Sequence, residues 1–590
     1  MTRPPTRIDL LVDAYETIAF EAANHLPRET GGILLGYQEN GTIVATHALV
    51  VEGQGATTHR YVRDDIRADD LLQEFLEQRA DDDPIGYVGE WHSHPFPSGP
   101  STVDHAAMRA TAKIASNPIA LLVFAPGATG AFFGLIARRQ RFGKTTTKEA
   151  VVSVPPSRFP PLGPLPDGAV RGDGPVFISY RQSDGTAQAD ALEDLLRAAG
   201  LVVWRDHTDL RPGTTTDRLE QALTRGLSAG VLVVTPDIAH SDIVRERELP
   251  RLLQLDADPN FSLCIANTVT RVGEELKCDY DAPDRLLRLA PARTLADKKQ
   301  ANMRQPSGEV EIVRDLLMHR IEQRKPSIRT EGRDFTIRVQ SRPASSALDA
   351  DEEDLHIRLK PSDDGRLPSR GGLELLQKTL PITSDAVYAS GAKSVRVSGG
   401  AHLSVGIAVG AALPETKNGR VLVVDPEDNA WTSAAPDDDP QSTELTIEPI
   451  QLELDQGAEL KRRVAIFVTL TPHADRTAFE QLVNDSAGGF DAAEIISLGS
   501  TDRIDPREAA RLSAAIAQHV KKLSASQGRA EVHLAYHGPY TMAVLVGRYL
   551  NTLRTVVYEW DGNKKDEPRY KSVLALEPGV TGGPITDVFP

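Results

Sequence analysis

The chain has 590 residues, 40% of them hydrophobic, and its 66 Lys and Arg against 83 Asp and Glu give a formal net charge of −17. This length predicts about three to six folded units at roughly 100–200 residues each. The acidic excess argues against a basic face for duplex nucleic acid or for an anionic membrane. The two cysteines, Cys264 and Cys278, are too few for a disulfide framework, so we expect packing thiols in a reducing compartment. Neither a signal-peptide pattern nor an apolar run of about 18 residues is present, which predicts a soluble cytoplasmic protein.

Composition divides the chain into three folded segments. Pro155 to Pro166 contains six prolines in twelve residues, which is typical of an extended linker. A second, softer boundary lies near residues 324–333. We therefore expect domains at 1–145, 174–325 and 326–590, with a linker at 146–173. We expect the acidic run at 349–354 to lie in a surface loop.

The first segment mixes helix and strand patterns. A helical pattern, LLVDAYETIAFEAA, precedes strand-like ILLGY and TIVATHALVV, which meet at a hairpin signal, Asn40-Gly41. Helix-like DDLLQEFLEQRA, strand-like GYVGEW, helix-like DHAAMRATAKIA and strand-like PIALLVFA and AFFGLIA follow. The segment is therefore expected to be a mixed α and β domain.

The most specific chemistry of the sequence lies in this segment. His92 and His94 can present two imidazoles from a strand end, and Asp104, ten residues after His94, can complete a three-ligand site at a helix start. These ligands suit Zn²⁺ and leave a fourth position for a water whose pKa falls toward ~7. Glu29, which precedes a strand, is a candidate base for that water. Ser101 is a candidate donor to a developing oxyanion.

With these residues, the segment resembles the JAB/MPN (JAMM) metallopeptidases, whose pattern is a Glu before a strand plus His-x-His-Pro, Ser and Asp. The resemblance implies an α+β domain with zinc-dependent isopeptidase activity. Five residues separate Pro95 from Ser101, one fewer than in the eukaryotic isopeptidases. The alternative is a metal-free scaffold, as in inactive members of that family.

The second segment alternates strands and helices. Strand-like VFISY, LVVW and VLVVTP are fully apolar, helix patterns separate them, and Gly200 is expected to end the first helix. Fully apolar strands joined by helices indicate a parallel sheet buried on both faces. The segment resembles a TIR domain, with a flavodoxin-like fold, in Phe177–Arg181, Val202–Asp206, Asp209–Gly213 and Val231–Pro236.

Many bacterial TIR domains cleave the nicotinamide–ribose bond of NAD, and the resemblance implies this activity here. A carboxylate held against the ribose would stabilise the charge that develops as nicotinamide leaves. The family's Glu falls within Ser241–Pro250, where strict spacing reaches Arg247, so Glu248 and Glu246 are both candidates and Glu248 is preferred. The alternative is an adaptor-type domain that only self-associates. The residues expected near NAD, at the carboxyl ends of the strands, are Tyr180, Arg181, Asp184, Trp204 and Asp209.

The third segment contains an internal repeat. Val395–Leu413 aligns without gaps with Val532–Leu550 at a constant offset of 137 residues, and Gly410 and Gly547 are among the identical positions. Each copy reads as a strand, a glycine-containing loop and an apolar helix. We therefore expect two related α/β halves across a pseudo-twofold axis, with the loops of both halves bounding one crevice.

This duplicated pattern, together with Arg463–Val468 and Tyr558–Gly562, resembles the SAVED domain, a fused pair of CARF-like, Rossmann-type halves that sense cyclic oligonucleotides. Backbone N–H groups of glycine loops suit phosphates, and aromatic side chains suit bases. The residues expected to contact the ligand are Gly399, Gly400, His402, Thr469, Thr471, Tyr536, His537, Gly538 and Tyr540.

Together the three resemblances imply a multidomain α/β anti-phage effector of bacteria. A cyclic oligonucleotide would bind the third segment and drive self-assembly, which activates NAD cleavage. The first segment would deconjugate a partner protein, such as the nucleotidyltransferase that makes the messenger. The alternatives are a constitutive zinc isopeptidase that the other two domains only localise, and a non-catalytic signalling scaffold.

Overall fold

The structure is a computed structural model of the chain. It describes residues 5–589 except 26, 54–56, 58–60, 78, 80–82, 126–130, 141–142, 155–161, 206–214, 242, 272, 288–293, 344–352, 435–443, 453–461, 472–473, 475, 487–488, 500–502, 551, 563–568 and 578. The chain divides into two compact units. One comprises Met1–Gly163, Val234–Pro250 and Asn267–Gln300, and the other comprises Pro164–Val233, Arg251–Ala266 and Ala301–Pro590. No helix among the described residues is long and apolar enough to cross a membrane.

The first segment is a closed barrel with strand order β1-β3-β2-β4-β5-β6-β7. Asn40 and Gly41 both have positive φ (49° and 81°) between β2 and β3, the conformation that an Asn-Gly hairpin turn requires. The predicted hairpin is therefore confirmed. Its strands are β1 (Arg7–Leu10), β2 (Gly31–Glu39), β3 (Thr42–Val51), β4 (Gly86–Ser93), β5 (Ile119–Ala125), β6 (Ala131–Arg139) and β7 (Thr145–Ser153), and its helices are α1 (Val12–His25), α2 (Asp65–Glu77) and α3 (Thr102–Ile114).

The seventh strand differs from the expected domain boundary. The linker was expected to begin at 146, but β7 pairs antiparallel with β6 and parallel with β1 and so closes the barrel. The sequence TTTKEAVVS has only a weak apolar pattern, because all nine of its residues are exposed or half-buried. The proline-rich stretch 155–161 lies outside the described residues.

The second segment forms a five-stranded sheet of order β14-β11-β10-β8-β9, and β8 pairs in parallel with both of its neighbours. The predicted parallel sheet is confirmed. Gly200 follows the end of α4 with a φ of 97°, as expected for a glycine that ends a helix. The elements are β8 (Val176–Ser179), α4 (Gln182–Ala198), β9 (Val203–Arg205), α5 (Thr215–Leu223), β10 (Ala229–Val234), a 3₁₀-helix (Ile238–His240), a π-helix (Val244–Glu248), α6 (Leu249–Leu255), β11 (Ser262–Asn267), β12 (Thr270–Arg271), β13 (Glu274–Cys278), α7 (Ala282–Leu287) and β14 (Lys299–Asn302). Cys264 and Cys278 are both buried, and neither forms a disulfide.

The third segment contains two parallel-centred sheets. The elements are α8 (Gly308–Glu331), β15 (Phe335–Gln340), β16 (Leu355–Arg358), α9 (Arg370–Ser390), β17 (Ser394–Gly400), α10 (Leu403–Ala412), α11 (Glu415–Asn418), β18 (Arg420–Val424), β19 (Ala430–Thr432), β20 (Leu445–Pro449), β21 (Arg463–Thr469), α12 (Thr477–Asp485), β22 (Ala492–Leu498), a 3₁₀-helix (Pro506–Glu508), α13 (Ala509–Ser526), β23 (Glu531–His537), α14 (Tyr540–Tyr549), β24 (Thr555–Asp561), β25 (Arg569–Leu576) and β26 (Ile585–Val588). The sheet orders are β16-β15-β17-β18-β19 and β20-β22-β21-β23-β24-β25-β26.

The two sheets repeat one topology. In each, three parallel pairings are followed by one antiparallel pairing, so that β16-β15-β17-β18-β19 corresponds to β22-β21-β23-β24-β25. The repeated helices α10 and α14 pack on each other. A Cβ on Gly410 would overlap the carbonyl oxygen of Val544, and a Cβ on Gly547 would overlap that of Ile407. Since Val544 is the repeat partner of Ile407, the contact is self-complementary, as a twofold axis requires. The predicted pair of related halves is confirmed.

The expected boundary at 325–326 falls inside a helix. Although it contains Pro326, α8 runs without interruption from Gly308 to Glu331. Its buried side chains, which include Ile312, Leu317 and Ile328 on both sides of the expected boundary, pack in one hydrophobic core. The burial of these side chains compensates for the loss of the backbone hydrogen bond that Pro326 cannot donate.

The second and third segments share that hydrophobic core within the second compact unit. It contains Val176 and Leu192 of the parallel sheet region together with Val395 and Val532 of the repeated halves. Hydrogen bonds cross the same junction: the Gly200 carbonyl accepts from His356 N at 2.8 Å. The Thr379 hydroxyl donates to the Ala198 carbonyl at 3.2 Å. Helix α4 and the first half of the repeat are therefore held together by a packed interface.

The acidic run expected on the surface ends in a buried carboxylate. Asp354 is 2% exposed and accepts two hydrogen bonds from the Arg333 guanidinium, at 2.7 and 2.8 Å, and one from Thr336 N at 2.9 Å. Although burial alone raises its pKa, Arg333 and Thr336 outweigh that effect and lower it. The surface-loop expectation is therefore wrong for Asp354, and residues 349–352 lie outside the described residues.

Candidate functional site

Strand β4 delivers the two histidines to one side of the barrel. His92 and His94 are two residues apart, so extended backbone turns both side chains the same way. His92 pairs in register with Gly31 of β2, and His94 N donates to the Phe124 carbonyl of β5 at 2.8 Å. Both residues are 8% exposed, and their Nε2 atoms lie 3.1 Å apart. The two imidazoles therefore aim the same nitrogen into one space.

Asp104 reaches that space from the first turn of α3. Its Oδ1 lies 3.5 Å from His92 Nε2, and its Oδ2 lies 3.8 Å from His94 Nε2. The position of Asp104 is fixed by the helix cap, because Oδ2 also accepts from Ser101 N at 2.6 Å. The structure thus brings the three predicted ligands together.

The residues fit a zinc ion in geometry and in protonation. One ligand atom from each of His92, His94 and Asp104 lies within 4.8 Å of the other two. Burial lowers the pKa of His92 to about 4, although Asp104 acts in the opposite direction, so its imidazole is neutral near pH 7. His94 Nδ1 lies 3.0 Å from the Ser98 carbonyl, which suits an Nδ1–H donor and leaves Nε2 for a metal. Two imidazoles and one carboxylate are a common zinc ligand set.

Glu29 lies on the chain segment next to the histidines. The following residue, Thr30, accepts from Ser93 N at 2.7 Å through its carbonyl and donates through its own N–H to Ser93 Oγ at 3.0 Å. Gly31 permits this approach, since a Cβ there would meet the Trp91 carbonyl oxygen at 2.5 Å. Glu29 is 8% exposed, and its N–H donates to the Thr57 carbonyl at 2.9 Å. The backbone therefore places Glu29 beside the residue that separates the two histidines.

Ser101 has a structural role that the sequence analysis missed. It is the N-cap of α3: Ser101 Oγ accepts from Asp104 N at 3.3 Å while Asp104 accepts from Ser101 N. This reciprocal pair is a capping box, which the spacing of a Ser and an acidic residue three positions later could have revealed. Ser101 therefore orients Asp104, and an oxyanion contact remains a prediction.

The predicted NAD-contacting residues of the second compact unit lie around β8 and α4. Tyr180 is 6% exposed, and the Arg205 guanidinium carbon lies 4.7 Å from its ring centre. Arg181 and Asp184 form an ion pair at 3.1 Å in the first turn of α4. Trp204 is half-buried in β9. Asp209 lies outside the described residues. Tyr180 thus packs in the core, and the contact of all five with NAD remains a prediction.

The two candidate carboxylates lie on the π-helix of the first compact unit. Glu248 is 3% exposed at the end of that helix, and Glu246 is half-buried one half-turn earlier. Ser241 Oγ accepts from Val244 N at 3.5 Å at the start of this segment. A single π-helical turn often marks a functional segment. The choice between Glu248 and Glu246 stays open.

In the second half of the repeat, the predicted polar residues follow two adjacent parallel strands. Thr469 at the end of β21 pairs in register with His537 at the end of β23. The Thr471 hydroxyl lies 2.8 Å from His537 Nδ1, and Gly538 follows half-buried. Burial lowers the pKa of His537. These residues share one carboxyl edge, as predicted for a ligand crevice.

In the first half, Gly399 and Gly400 occupy the equivalent edge. Gly399 has a φ of 112°, and a Cβ there would overlap the Val339 carbonyl, so glycine is required. Gly400 is exposed and pairs in register with Gln340, which is the counterpart of Thr469 in the other half. Gln340 was not among the predicted ligand contacts, although it too ends a parallel strand at this edge.

Two predicted ligand contacts are buried inside the domain. His402 is 0% exposed; its Nδ1 lies 2.7 Å from Ser341 Oγ and its Nε2 lies 3.3 Å from the Gly365 carbonyl. Burial lowers its pKa to about 4. Tyr536 is 3% exposed and donates to the Pro539 carbonyl at 3.0 Å. The expectation that these two side chains face a ligand is not supported, because both are buried and hydrogen-bonded to loop residues.

A buried polar contact also joins the two halves near the predicted ligand loops. Glu559 of β24 accepts from both the N–H and the hydroxyl of Ser404 in α10, each at 2.7 Å. Burial raises the pKa of Glu559, while Ser404 and the nearby Arg342 act in the opposite direction. Tyr540 lies at the equivalent start of α14, where its ring would contact a Cβ on Gly406 at 2.9 Å. Glu559 and Arg342 lie near the predicted ligand loops, and the repeat alone did not indicate either of them.

Three family matches cover separate parts of the chain. Residues 11–139 match prokaryotic homologs of the JAB domain, and residues 176–269 match the TIR domain. Residues 377–576 match the SMODS-associated and fused to various effectors sensor domain, abbreviated SAVED.

Individual proteins are also similar to parts of the chain. The NAD(+) hydrolase PdTIR of Paracoccus denitrificans is 29% identical over 164 residues, which are 27% of this chain and 48% of that enzyme. This chain thus spans about half of the length of that relative. Among solved structures, the Cap4 SAVED/CARF-domain containing receptor of Acinetobacter baumannii with a cyclic trinucleotide is 12% identical, with a TM-score of 0.33, over 62% of this chain and 87% of that chain. Protein DSY2949 of Desulfitobacterium hafniense is 16% identical, with a TM-score of 0.20, over 25% of this chain and 92% of that chain. The domain assignment rests on the three family matches: a Prok-JAB, a TIR and a SAVED domain follow one another along the chain.

Proposed function

We propose that this protein is an anti-phage effector in which a cyclic oligonucleotide, bound by the SAVED domain, switches on NAD cleavage by the TIR domain. The JAB domain would add a zinc-dependent isopeptidase activity. The observation that carries the proposal is that a sensor domain and a domain related to an NAD(+) hydrolase pack on one hydrophobic core. The activities of the relative come to this chain only as parts of this proposal.

The peptidase part depends on the barrel. His92, His94 and Asp104 would hold zinc, whose chemistry there is to polarise a carbonyl and to lower the pKa of a water. Glu29 would accept a proton from the attacking water and return it to the leaving amine. Ser101 would keep Asp104 in place through the α3 cap. The substrate would be a protein conjugated to a partner, such as the nucleotidyltransferase that makes the messenger.

The NAD-cleaving part depends on one carboxylate. Glu248, or Glu246 in its place, would stabilise the positive charge that develops on the ribose as nicotinamide leaves. Glu248→Gln keeps the shape of the side chain and removes its charge, so NAD turnover should fall to background. If Glu248→Gln retains turnover and Glu246→Gln loses it, the role passes to Glu246. Retention in both variants would contradict a carboxylate on this helix.

The sensing part depends on the crevice between the halves. Gly399, Gly400 and Gly538 would offer backbone N–H groups to phosphates, and Thr469, Thr471 and His537 would add polar contacts. Tyr540 would stack on a base. A thermal-shift screen against cyclic di- and trinucleotides tests this, because a ligand of the native state raises the melting temperature. No shift with any member of the panel would contradict the sensing role.

The shared core limits how a ligand could act. Helix α4 of the TIR region is held to the SAVED domain by buried side chains and by the Gly200–His356 hydrogen bond. Release of one from the other would expose that apolar surface to water. We therefore infer that the ligand changes how copies of the chain associate, so that NAD cleavage depends on self-assembly. Ligand-induced growth in particle size by light scattering would support this inference, and NAD cleavage by a monomer would contradict it.

A second candidate is a constitutive zinc isopeptidase that the other domains only localise. It is favoured by the arrangement of His92, His94 and Asp104, whose ligand atoms all lie within 4.8 Å of one another inside the barrel domain alone. Cleavage of a fused-peptide substrate at equal rates with and without nucleotides, together with no NAD loss under any nucleotide, would select this candidate.

A further inference from the structure

A charged pair lies on the strand that carries the candidate zinc ligands. In extended backbone, side chains two residues apart leave the same face of a strand, so Glu90 of β4 continues the row of His92 and His94. Glu90 Oε1 lies 3.0 Å from Arg63 Nη1, and it accepts from the Tyr87 hydroxyl at 3.2 Å. The side chains of Arg63 and Glu90 are only 21% and 20% exposed. The pair thus adjoins the metal cluster and is shielded from most of the solvent.

Arg63 belongs to a short stretch, residues 61–65, that we call the rim segment. It forms an antiparallel bridge with Gly53, just beyond the end of β3. Its guanidinium also donates to Asp65 Oδ1 at 2.7 and 3.0 Å. Burial alone would lower the pKa of Arg63, but Glu90 and Asp65 outweigh it and raise the pKa, so the guanidinium stays charged. The rim segment is therefore tied to β4 through this guanidinium.

The rim segment places the ring of Tyr61 beside His92. A Cβ on Gly31 would meet Tyr61 Cε1 at 2.6 Å and His92 Cβ at 2.9 Å, so the ring and the ligand residue border the same space. A Cβ on Gly53 would meet the other edge of the ring, Cδ2, at 2.8 Å. The Tyr61 hydroxyl donates to the Val51 carbonyl at 2.8 Å, and burial raises its pKa, so it stays a donor. The ring therefore forms a fixed wall beside the metal cluster.

The chain that leads into the rim segment contacts the candidate general base. Glu29 N–H donates at 2.9 Å to the carbonyl of Thr57, which lies four residues before Tyr61. Glu29 also stands two residues before Gly31, against which the Tyr61 ring packs. Displacement of the rim segment would therefore loosen the backbone of Glu29 and remove the wall beside it. A shift of about 1 Å in a catalytic group can lower turnover on the order of 10²-fold.

We propose that Arg63 and Glu90 are a positioning pair for the zinc peptidase, acting through Tyr61 and through the backbone of Glu29. The pair neither holds the metal nor moves a proton. It fixes the place of the rim segment, and thereby the place of Glu29 beside the metal cluster. This inference rests on the proposed peptidase activity, so its test includes a measurement that needs no activity.

Hydrogen exchange of the full chain, followed by mass spectrometry after chelation of metal, measures the backbone directly. In Arg63→Met, the N–H of Glu29 should exchange about tenfold faster than in wild type, which corresponds to the loss of one hydrogen bond to a charged group. Arg67→Met is the matched control, because Arg67 pairs at 3.6 Å with Glu74 where both side chains are more than half exposed. The control should exchange as wild type does. Equal exchange in wild type and Arg63→Met, or an equal gain in both variants, would overturn the inference.

The kinetics of fused-peptide cleavage separate positioning from metal binding. Arg63→Met and Glu90→Gln should each lower kcat about tenfold, while KM and zinc content stay at the wild-type level. The double variant should lose no more than either single variant, since the two side chains act through one contact. Losses that multiply in the double variant, or a fall in zinc content, would overturn the inference. Absence of cleavage by wild type would contradict the proposed peptidase, and hydrogen exchange would still decide whether Arg63 holds Glu29 in place.

Discussion

The candidate metal cluster and the proposed ligand crevice between the repeated halves are assembled from the chain in different ways. His92, His94 and Asp104 come from one strand and the helix that follows it, and a cap within that helix sets Asp104 in place. The crevice instead draws its loops from two copies that are 137 residues apart, joined where Gly410 and Gly547 let two helices meet. A local site therefore depends on one fold unit, whereas a shared site depends on the packing between two.

The largest effect is expected at the cluster of His92, His94 and Asp104. Glu29→Ala should lower cleavage of a fused-peptide substrate by about 10²–10⁴-fold, the usual contribution of a general base. Zinc content, measured by plasma mass spectrometry, should stay at the wild-type level because Glu29 is not among the ligands. His105→Ala is the control, since that ring contacts Thr147 Oγ1 at 3.0 Å outside the cluster. Loss of zinc in Glu29→Ala would show that Glu29 is a ligand and not a base.

The next largest effect is expected where helices α10 and α14 meet. Gly410→Ala and Gly547→Ala should each lower the unfolding free energy by about 1–3 kcal/mol, because the new methyl group meets a backbone carbonyl that cannot move aside. Gly400→Ala should be nearly neutral, since nothing lies within 4 Å of its Cβ position. Thermal unfolding measures all three. Equal melting temperatures for Gly410→Ala and Gly400→Ala would mean that the helices do not meet as described.

The pH dependence of stability tests the contact that Glu559 makes between the two halves. Burial raises the pKa of Glu559, the carboxyl that joins the halves, so its proton is held more tightly in the folded chain than in the unfolded one. Its contribution to stability is then complete below the ordinary Glu pKa of about 4.3 and declines as pH rises through the raised pKa. Glu559→Gln should remove this decline in melting temperature, which begins above the ordinary Glu pKa of about 4.3. A steeper decline in the variant would reverse the assigned sign.

The smallest effect separates support from chemistry at the metal cluster. Ser101→Ala should lower stability by about 1 kcal/mol through loss of the α3 cap, seen as faster amide exchange in the first turn of α3. Metal binding should persist, because Asp104 still accepts from the backbone N–H of residue 101. A loss of cleavage near that of Glu29→Ala would instead support the oxyanion role.

The contrast also explains what the sequence could predict. The metal ligands were found residue by residue because their chemistry is concentrated in one short stretch with fixed spacing. For the crevice, the repeat predicted the halves and their shared edge but not which side chains face outward. His402 and Tyr536 lie in the repeated stretches whose loops were expected to be exposed, yet both side chains are buried and hold those loops. Glu559 accepts a hydrogen bond from Ser404 of the other half, although Glu559 itself lies outside the repeated stretches. Such details depend on packing between distant segments, which periodicity does not record.

Boundaries failed for a related physical reason. Proline and charge near 324–333 suggested a break, but α8 buries apolar side chains on both sides of Pro326. Asp354 belongs by composition to an acidic surface run, yet the Arg333 guanidinium satisfies it inside the domain. Local composition indicates the structure that a stretch favours in isolation. In both places, tertiary contacts favour a different structure.

Control of NAD cleavage by a cyclic oligonucleotide is the main property that we propose for this chain. It is tested most directly by following NAD concentration with the purified protein, with and without each member of a panel of cyclic di- and trinucleotides. We expect the NAD concentration to stay constant with the protein alone and to fall when one of these nucleotides is added. Consumption at the same rate without any nucleotide, or no consumption with all of them, would contradict it.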